Sequence, residues 1–289
     1  MNYFGDDLAV IQDDANFLAL IDTRTLRVRA VPFARGHAKQ RLFDDTRGNK
    51  AHKLDLEACV VGTLRGKPAL IAFGSGSTPA RERVVVTSQE QGAFTTRVLP
   101  AGGLYTALRK RREFSGRQLN VEGAILDGER LLLVQRGNAG PRTELEALDA
   151  IAELSFGDVL ACITGDSAHE PAVHGVTVYE LGVHAGVRLT FSDACSTAGG
   201  ALLYLAAAEA SPDVVRDGPV AGSVLGVSTD QCARYALLED AQGETVLDKP
   251  EGIVLDRTSP LRALVVLDRD HPERPSELCE VALSGPWWA

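Results

Sequence analysis

Residues 120–138 read NVEGAILDGERLLLVQRGN, and this stretch decides the fold. An acidic residue, Glu122, opens a short apolar run. A polar turn follows at Asp127-Gly128, and a strongly apolar run begins at Leu131. Two short apolar runs around a Gly-containing turn are typical of an antiparallel β-hairpin. The stretch therefore predicts two paired strands, with Glu122 at the start of the first.

Four other stretches repeat this pattern, and each opens on an acid. They read DLAVIQDDANFLALID from Asp7, EACVVGTLRGKPALIAFGSGS from Glu57, DACSTAGGALLYLAAAEAS from Asp193 and EGIVLDRTSPLRALVVLDRD from Glu251. The intervals between the five acids are 50, 65, 71 and 58 residues, and a four-stranded propeller blade needs about 40 to 50. A strand unit repeated at this spacing predicts an all-β fold, a β-propeller.

The number of repeats predicts five blades. The longer intervals leave room for a degenerate sixth blade around residues 155–190, which is the competing interpretation. Because the last repeat is the shortest, we expect residues near Met1–Phe4 to complete the C-terminal blade. Pairing of the chain termini would then close the propeller and remove a sheet edge. Residues 1–289 are expected to form a single domain, a size that β folds often use in one domain.

Composition and net charge disfavour some classes of binding partner. The net charge of -9 disfavours nucleic acids and anionic membrane surfaces, which reward basic proteins. No apolar run approaches the length of a membrane-spanning helix, and the start, MNYFGDDLAVIQDD, lacks the basic and apolar regions of a secretory signal. The five cysteines lie far apart with no CxxC pair, which favours reduced thiols in a cytoplasmic protein.

The repeated acids are the main candidates for chemistry. If each opens the innermost strand of a blade, Asp7, Glu57, Glu122, Asp193 and Glu251 form a ring of carboxylates at one mouth of the central channel. Such a ring could bind a divalent cation, Ca²⁺ or Mg²⁺, for which Glu57, Glu122 and Glu251 are the candidate ligands. Glu122 and Asp193 are the candidate catalytic residues. The alternative is that these acids hold turns by accepting hydrogen bonds from backbone N–H groups.

Basic residues accompany the acids. Lys53 precedes Glu57 in HKLDLE, Arg136 ends the second apolar run of the 120–138 stretch, and Arg81 follows the turn GSGS. Cations beside a metal suit a phosphate or carboxylate group, so these three are candidate substrate-binding residues for a small anionic molecule. The alternative for each is a surface salt bridge. The sequence gives no indication of the oligomeric state.

Several of these motifs resemble a known class of protein. The segments HKLDLE, LIAFGSGSTPARER, NVEGAILDGERLLLVQRGN, AAAEASPDVVRDGPVAGSVLG and KPEGI resemble an uncharacterised bacterial β-propeller family. They are similar in style to phytase-like propellers, in which EG pairs recur at the starts of blades. The resemblance implies a propeller, and it favours a metal-assisted esterase or phosphatase.

Three functions from different classes follow from this pattern. The leading hypothesis is a metal-dependent hydrolase of phosphoesters or lactones at the channel mouth. The second is a non-catalytic ligand-binding or interaction propeller. The third is a glycosidase with a carboxylate pair at the axis, which requires a defined separation between its two carboxyl groups.

Overall fold

The computed structural model of the chain describes residues 1–137, 148–210, 218–229, 232–269, 274–285 and 287. Its main elements are five small antiparallel sheets of three or four strands. These sheets are the blades of a five-bladed β-propeller, which confirms the fold class that the repeats predict. The chain divides into two compact units, which are described separately below. The first comprises Met1–Arg111, Leu126–Leu132 and Glu153–Gly175, and the second comprises Arg112–Ile125, Leu133–Ala152 and Val176–Ala289.

The first sheet contains the N-terminal strand. Its strands pair in chain order: β1 (Asn2–Phe4), β2 (Asp7–Val10), β3 (Phe17–Asp22) and β4 (Val28–Pro32). A tight turn between β1 and β2, with Gly5 at φ 66°, sets Tyr3 opposite Leu8. This corrects the expectation that Met1–Phe4 completes the C-terminal blade, because the residues after β1 supply its pairing partner directly.

The second sheet also pairs in chain order and is followed by helices. Its strands are β5 (Leu56–Leu64), β6 (Lys67–Gly74), β7 (Arg83–Glu90) and β8 (Ala93–Pro100). The helices are α1 (Gly102–Lys110) and the short α2 (Arg112–Ser115). Three single turns of 3₁₀ helix lie at His37–Lys39, Lys50–His52 and Pro79–Arg81.

The third sheet has the strand order β12-β11-β10-β9. Its elements are β9 (Val121–Asp127), β10 (Arg130–Gln135), β11 (Asp149–Ser155), the helix α3 (Phe156–Thr164) and β12 (Val173–Tyr179). A small hairpin follows, formed by β13 (Val183–His184) and β14 (Val187–Arg188). Residues 155–190 therefore hold a helix, the outer strand of this sheet and a hairpin, and not a sixth blade.

The fourth and fifth sheets complete the described chain. The fourth pairs β15 (Thr190–Ser196), β16 (Leu202–Glu209), β17 (Val220–Thr229) and β18 (Cys232–Leu237). The fifth pairs β19 (Lys249–Leu255), β20 (Arg262–Asp268) and β21 (Glu277–Ala282). Among the residues that the structure describes, no helix is long and apolar enough to cross a membrane.

Burial within each sheet explains the strongly apolar second half of every repeat. Successive side chains of a strand point to opposite faces, so a strand covered on both faces needs a continuous apolar run. Accordingly β6 is buried from Ala69 to Gly74 and β16 from Leu203 to Glu209, whereas the outer strand β8 alternates between exposed and partly buried residues. The apolar runs of the repeat are therefore a core pattern.

A β-bulge recurs in the first strands of three sheets. The pairing register shifts between Leu56 and Ala58 in β5, between Phe191 and Asp193 in β15, and between Pro250 and Gly252 in β19. A bulge leaves one extra residue out of the ladder and re-aims its side chain. The bulged residues are Glu57, Ser192 and Glu251. In the fourth sheet this place is therefore taken by Ser192, one residue before the acid that the sequence pattern selects.

Close packing between β16 and β17 supplies a test of the fold. Gly226 lies opposite Tyr204, and a Cβ atom at Gly226 would approach the Tyr204 ring to 2.0 Å. Because overpacking a core costs about 1–3 kcal/mol, we predict that Gly226→Ala lowers the free energy of unfolding in urea by about that amount. Gly175→Ala is the control, since no atom lies within 4 Å of its added Cβ. Equal stabilities of the two variants would contradict the packing described here.

Candidate functional site

Five charged side chains meet inside the second unit, at the ends of its strands. We call them the Glu209 cluster: Glu122, Arg136, Glu209, Lys249 and Glu251. Antiparallel pairing explains their meeting, because the start of one strand lies beside the end of its neighbour. Glu122 is near the start of β9 and Arg136 follows the end of β10, while Lys249 and Glu251 open β19.

Glu209 is the common partner of the two cations. Its Oε2 atom accepts a hydrogen bond from Nη2 of Arg136 and lies 3.8 Å from Nζ of Lys249. Each cation also contacts a second carboxylate. Nη1 of Arg136 lies 3.5 Å from Oε1 of Glu122, and Nζ of Lys249 lies 2.7 Å from Oε1 of Glu251. The cluster is therefore a continuous chain of ion pairs.

Neutral groups fix two of these carboxylates in place. Nδ2 of Asn120 donates to Oε1 of Glu122 at 2.5 Å, and the backbone N–H of Gly218 donates to Oε1 of Glu209 at 2.9 Å. Asn120 is itself held by its backbone N–H, which donates to the side chain of Gln135 at 2.8 Å. Such support keeps the carboxylates oriented without further movement of the chain.

The cluster is buried, and its carboxylates outnumber its cations by three to two. Side-chain exposure is only 1% for Glu209 and 10% for Arg136, and reaches 21% for Glu251. Burial alone would lower the pKa of Arg136 and of Lys249, but the facing carboxylates outweigh it and raise both pKa values, so both side chains stay charged. Burial raises the pKa of Glu251 above its usual range, against the opposing effect of Lys249.

A second group of charges lies within the first unit. We call it the Asp55 cluster: Asp13, Lys53, Asp55, Glu57 and Arg81. One carboxylate oxygen of each of its three acids lies within 4.8 Å of the others, a spacing that could hold a metal ion. However, Nζ of Lys53 lies 2.6 Å from Asp13 and 2.7 Å from Asp55. These acids thus already have a buried cation between them.

The GSGS turn is part of the Asp55 cluster. The hydroxyl of Ser75 donates to the Asp55 carboxylate, and Nη1 of Arg81 lies 2.9 Å from Asp55 and 2.8 Å from the hydroxyl of Ser77. Burial would lower the pKa of Lys53, but Asp13, Asp55 and Glu57 raise it overall. Both cations are therefore engaged with Asp55. The substrate-binding roles that the sequence suggests for Lys53 and Arg81 stay predictions.

Asp193 makes main-chain hydrogen bonds. Its Oδ1 atom accepts from the N–H of Ala194 at 2.8 Å and its Oδ2 atom from the N–H of Ile253 at 2.9 Å, which ties β15 to β19. Asp149 acts in a similar way, accepting from the N–H groups of Gly137 and Phe191 at 3.0 and 2.9 Å. Asp193 thus fits the turn-holding alternative, and its catalytic role stays a prediction.

The sequence candidates lie in both units, and each unit brings some of them together. Glu122, Arg136 and Glu251 meet in the Glu209 cluster of the second unit. Lys53, Glu57 and Arg81 meet in the Asp55 cluster of the first unit. Asp7 lies on β2, the second strand of its sheet, and pairs with Arg29. It therefore does not open a first strand as the other four acids do.

Two features of the sites escaped the sequence pattern. Asp13 and Asp149 sit outside the repeated position, and only their hydrogen bonds and ion pairs identify them. Ser192 was missed because a bulge moves the register by one residue, which a periodic pattern does not show. The sequence indicates Ser192 only by its position, directly before the acid that opens the repeat.

Comparison with known proteins shows the family but not an activity. A family model matches residues 1–283. The chain belongs to DUF6929, a family of unknown function. No curated protein matches it significantly. A solved structure of a hypothetical selenium-binding protein from Sulfolobus tokodaii is similar at 10% identity and a TM-score of 0.37, over 95% of this chain and 72% of that one.

Burial of Asp193 predicts a specific pH dependence. Desolvation raises the pKa of this carboxyl to about 6, so the native state holds its proton at pH values where the unfolded chain, with an ordinary Asp pKa of about 3.9, has released it. Stability linked to this group is therefore present at low pH and is lost as the pH rises through 6. We predict that the free energy of unfolding of the wild type falls relative to Asp193→Asn between pH 4 and pH 7.

Asp256→Asn is the control, because the pKa of Asp256 is shifted in the opposite direction from that of Asp193. Hydrogen bonds from the N–H and hydroxyl of Thr258, both at 2.7 Å, outweigh the effect of burial and lower the pKa of Asp256. The wild type should therefore lose stability relative to this variant as the pH falls below 4. Urea unfolding at each pH measures both differences. A wild-type advantage over Asp193→Asn that grows between pH 4 and pH 7 would contradict a buried carboxyl of raised pKa.

Proposed function

We propose that the protein is a metal-dependent hydrolase of a small phosphoester or lactone, and that the Glu209 cluster is its active site. One observation carries the proposal. A carboxylate oxygen of Glu122 lies within 4.8 Å of one of Glu251, inside a buried cluster in which acids outnumber cations. Both residues belong to the EG pairs, Glu122-Gly123 and Glu251-Gly252, on which the resemblance to phytase-like propellers rests.

The donor set fits a hard divalent cation. Ca²⁺ takes oxygen ligands at about 2.3–2.6 Å and Mg²⁺ at about 2.0–2.1 Å. Two oxygens that lie within 4.8 Å of each other can therefore both contact one Ca²⁺, and a small inward movement would suit Mg²⁺. A cation would also balance the third carboxylate. It would favour the ionised form of Glu251, whose pKa burial raises.

The two basic residues suit the anionic part of a substrate. Arg136 and Lys249 are buried and held by two carboxylates each, so their positions are fixed before a ligand arrives. An arginine can present two parallel N–H donors to a phosphate or carboxylate. Because both cations stay protonated, they would favour negative charge that develops on a substrate oxygen.

The carboxylates have different environments, which gives them different roles. Asn120 and Arg136 both contact Oε1 of Glu122, which fixes the position of this carboxylate. Burial raises the pKa of Glu251, which suits a group that holds or moves a proton. A bound cation would polarise the scissile group and lower the pKa of a bound water.

A glycosidase is the second candidate, and the same spacing favours it. Retaining glycosidases place two carboxyl groups about 5–5.5 Å apart, one ionised and one protonated. Burial raises the pKa of Glu251, and the nearest oxygens of Glu122 and Glu251 lie within 4.8 Å of each other. In this mechanism Glu122 would be the nucleophile and Glu251 the acid, with no need for a cation.

The proposal is tested by exchanging each carboxylate for its amide. We predict that Ca²⁺ or Mg²⁺ raises the melting temperature of EDTA-treated wild type by a few degrees, since a ligand stabilises the state that binds it. Glu122→Gln and Glu251→Gln should remove this rise without unfolding the protein, because two carboxylates remain for two cations. Each should also lower hydrolysis of an aryl phosphoester or lactone at least about 100-fold.

Glu280→Gln is the matched control, because Glu280 pairs with Arg262 at an exposed site. Glu280→Gln should keep both the cation-dependent rise in melting temperature and the hydrolytic activity. If Ca²⁺ or Mg²⁺ still raises the melting temperature of Glu122→Gln and Glu251→Gln, the ion binds elsewhere and the proposal is overturned. Turnover of aryl glycosides without cations would favour the glycosidase. Cation binding without turnover of any of these substrates would leave a non-catalytic binding protein.

A further inference from the structure

Ser192 carries a polar group that the fold itself does not use. The residue is buried, with 1% exposure, and its hydroxyl has no hydrogen-bond partner among the residues that the structure describes. A buried hydroxyl without a partner is costly, and most such groups in native proteins are satisfied by protein, water or a ligand. The hydroxyl of Ser192 therefore needs a separate explanation.

The position of Ser192 links it to the Glu209 cluster. It is the bulged residue of β15, and Glu251 is the bulged residue at the matching place in β19. The next residue, Asp193, binds the N–H of Ile253 on β19, and on its other side it packs against Gly123, where a Cβ would lie 2.9 Å from Oδ1 of Asp193. Ser192 thus lies on the strand between the two that carry Glu122 and Glu251.

We propose that Ser192 is a substrate-binding residue whose hydroxyl donates a hydrogen bond to an oxyanion, such as a phosphate or carboxylate oxygen, held beside Arg136 and Lys249. Since Glu251 occupies the matching place in β19, a further acid at the position of Ser192 would add negative charge where an anion has to bind. A neutral donor removes that repulsion. The inference rests on the proposed site, but it concerns binding and does not depend on turnover.

The first measurement is thermal stability without ligand. If the hydroxyl of Ser192 is unpaired, Ser192→Ala should melt at the wild-type temperature or above it. Ser223→Ala is the matched control, because Ser223 is equally buried but its hydroxyl donates to the backbone oxygen of Asp248 at 2.9 Å. Ser223→Ala should melt several degrees lower. An equal loss in Ser192→Ala would show a paired, structural hydroxyl and overturn the inference.

The second measurement is calorimetric titration with inorganic phosphate in the presence of Ca²⁺. We expect Ser192→Ala to bind phosphate about tenfold more weakly than the wild type, the usual effect of one hydrogen bond to a charged group. Thr87→Val is the control, since Thr87 is another buried hydroxyl without a described partner but lies in β7 of the first unit. It should leave phosphate affinity unchanged.

These outcomes separate the inference from the proposed function. Equal phosphate affinity in Ser192→Ala and wild type, or no phosphate binding by the wild type at millimolar concentration, would overturn the role of Ser192. Weaker binding by Ser192→Ala in a protein that hydrolyses none of the substrates would support the role of Ser192 and overturn only the hydrolase.

Discussion

The buried carboxylate of Glu209, shared between Arg136 and Lys249, is the interaction on which the rest of the site depends. Removing one member of a buried ion pair typically costs about 3–5 kcal/mol, because the partner is left as an uncompensated charge. Glu209 therefore holds both cations in the interior, and the two cations in turn hold Glu122 and Glu251. The cluster has one carboxylate more than it has cations, and a bound metal ion would balance this excess.

Two clusters of similar composition occur in the chain, and their contacts distinguish them. In the Asp55 cluster, Lys53 contacts both Asp13 and Asp55. Arg81 and the hydroxyl of Ser75, in the GSGS turn, also contact Asp55. That arrangement ties a loop to its sheet. In the Glu209 cluster, the first strands β9 and β19 each contribute a carboxylate, and Glu209 contacts both cations. Both clusters contain three carboxylates and two cations, and the Glu209 cluster differs in that Glu122 and Glu251 each contact a different cation.

Much of the fold could be predicted from the sequence, and the exceptions have physical reasons. The apolar runs identify the strands because middle strands are buried on both faces, so the five-bladed propeller follows from the repeats. The repeats do not predict the helix α1, in which Leu104, Tyr105 and Leu108 share one buried face. Asp7 was assigned to a first strand because the short strand before it carries no repeat signal. A single bulge shifts the fourth sheet, so that Ser192 takes the place expected for Asp193.

The central claim is that Glu122 and Glu251 bind one cation in the Glu209 cluster. The most direct test is a crystal structure of the protein soaked in Mn²⁺, in which anomalous scattering locates the ion. The account predicts one anomalous peak within about 2.5 Å of a carboxylate oxygen of each residue, a bonding distance for a hard cation. No peak between them, with Lys249 still bound to Glu251, would contradict it.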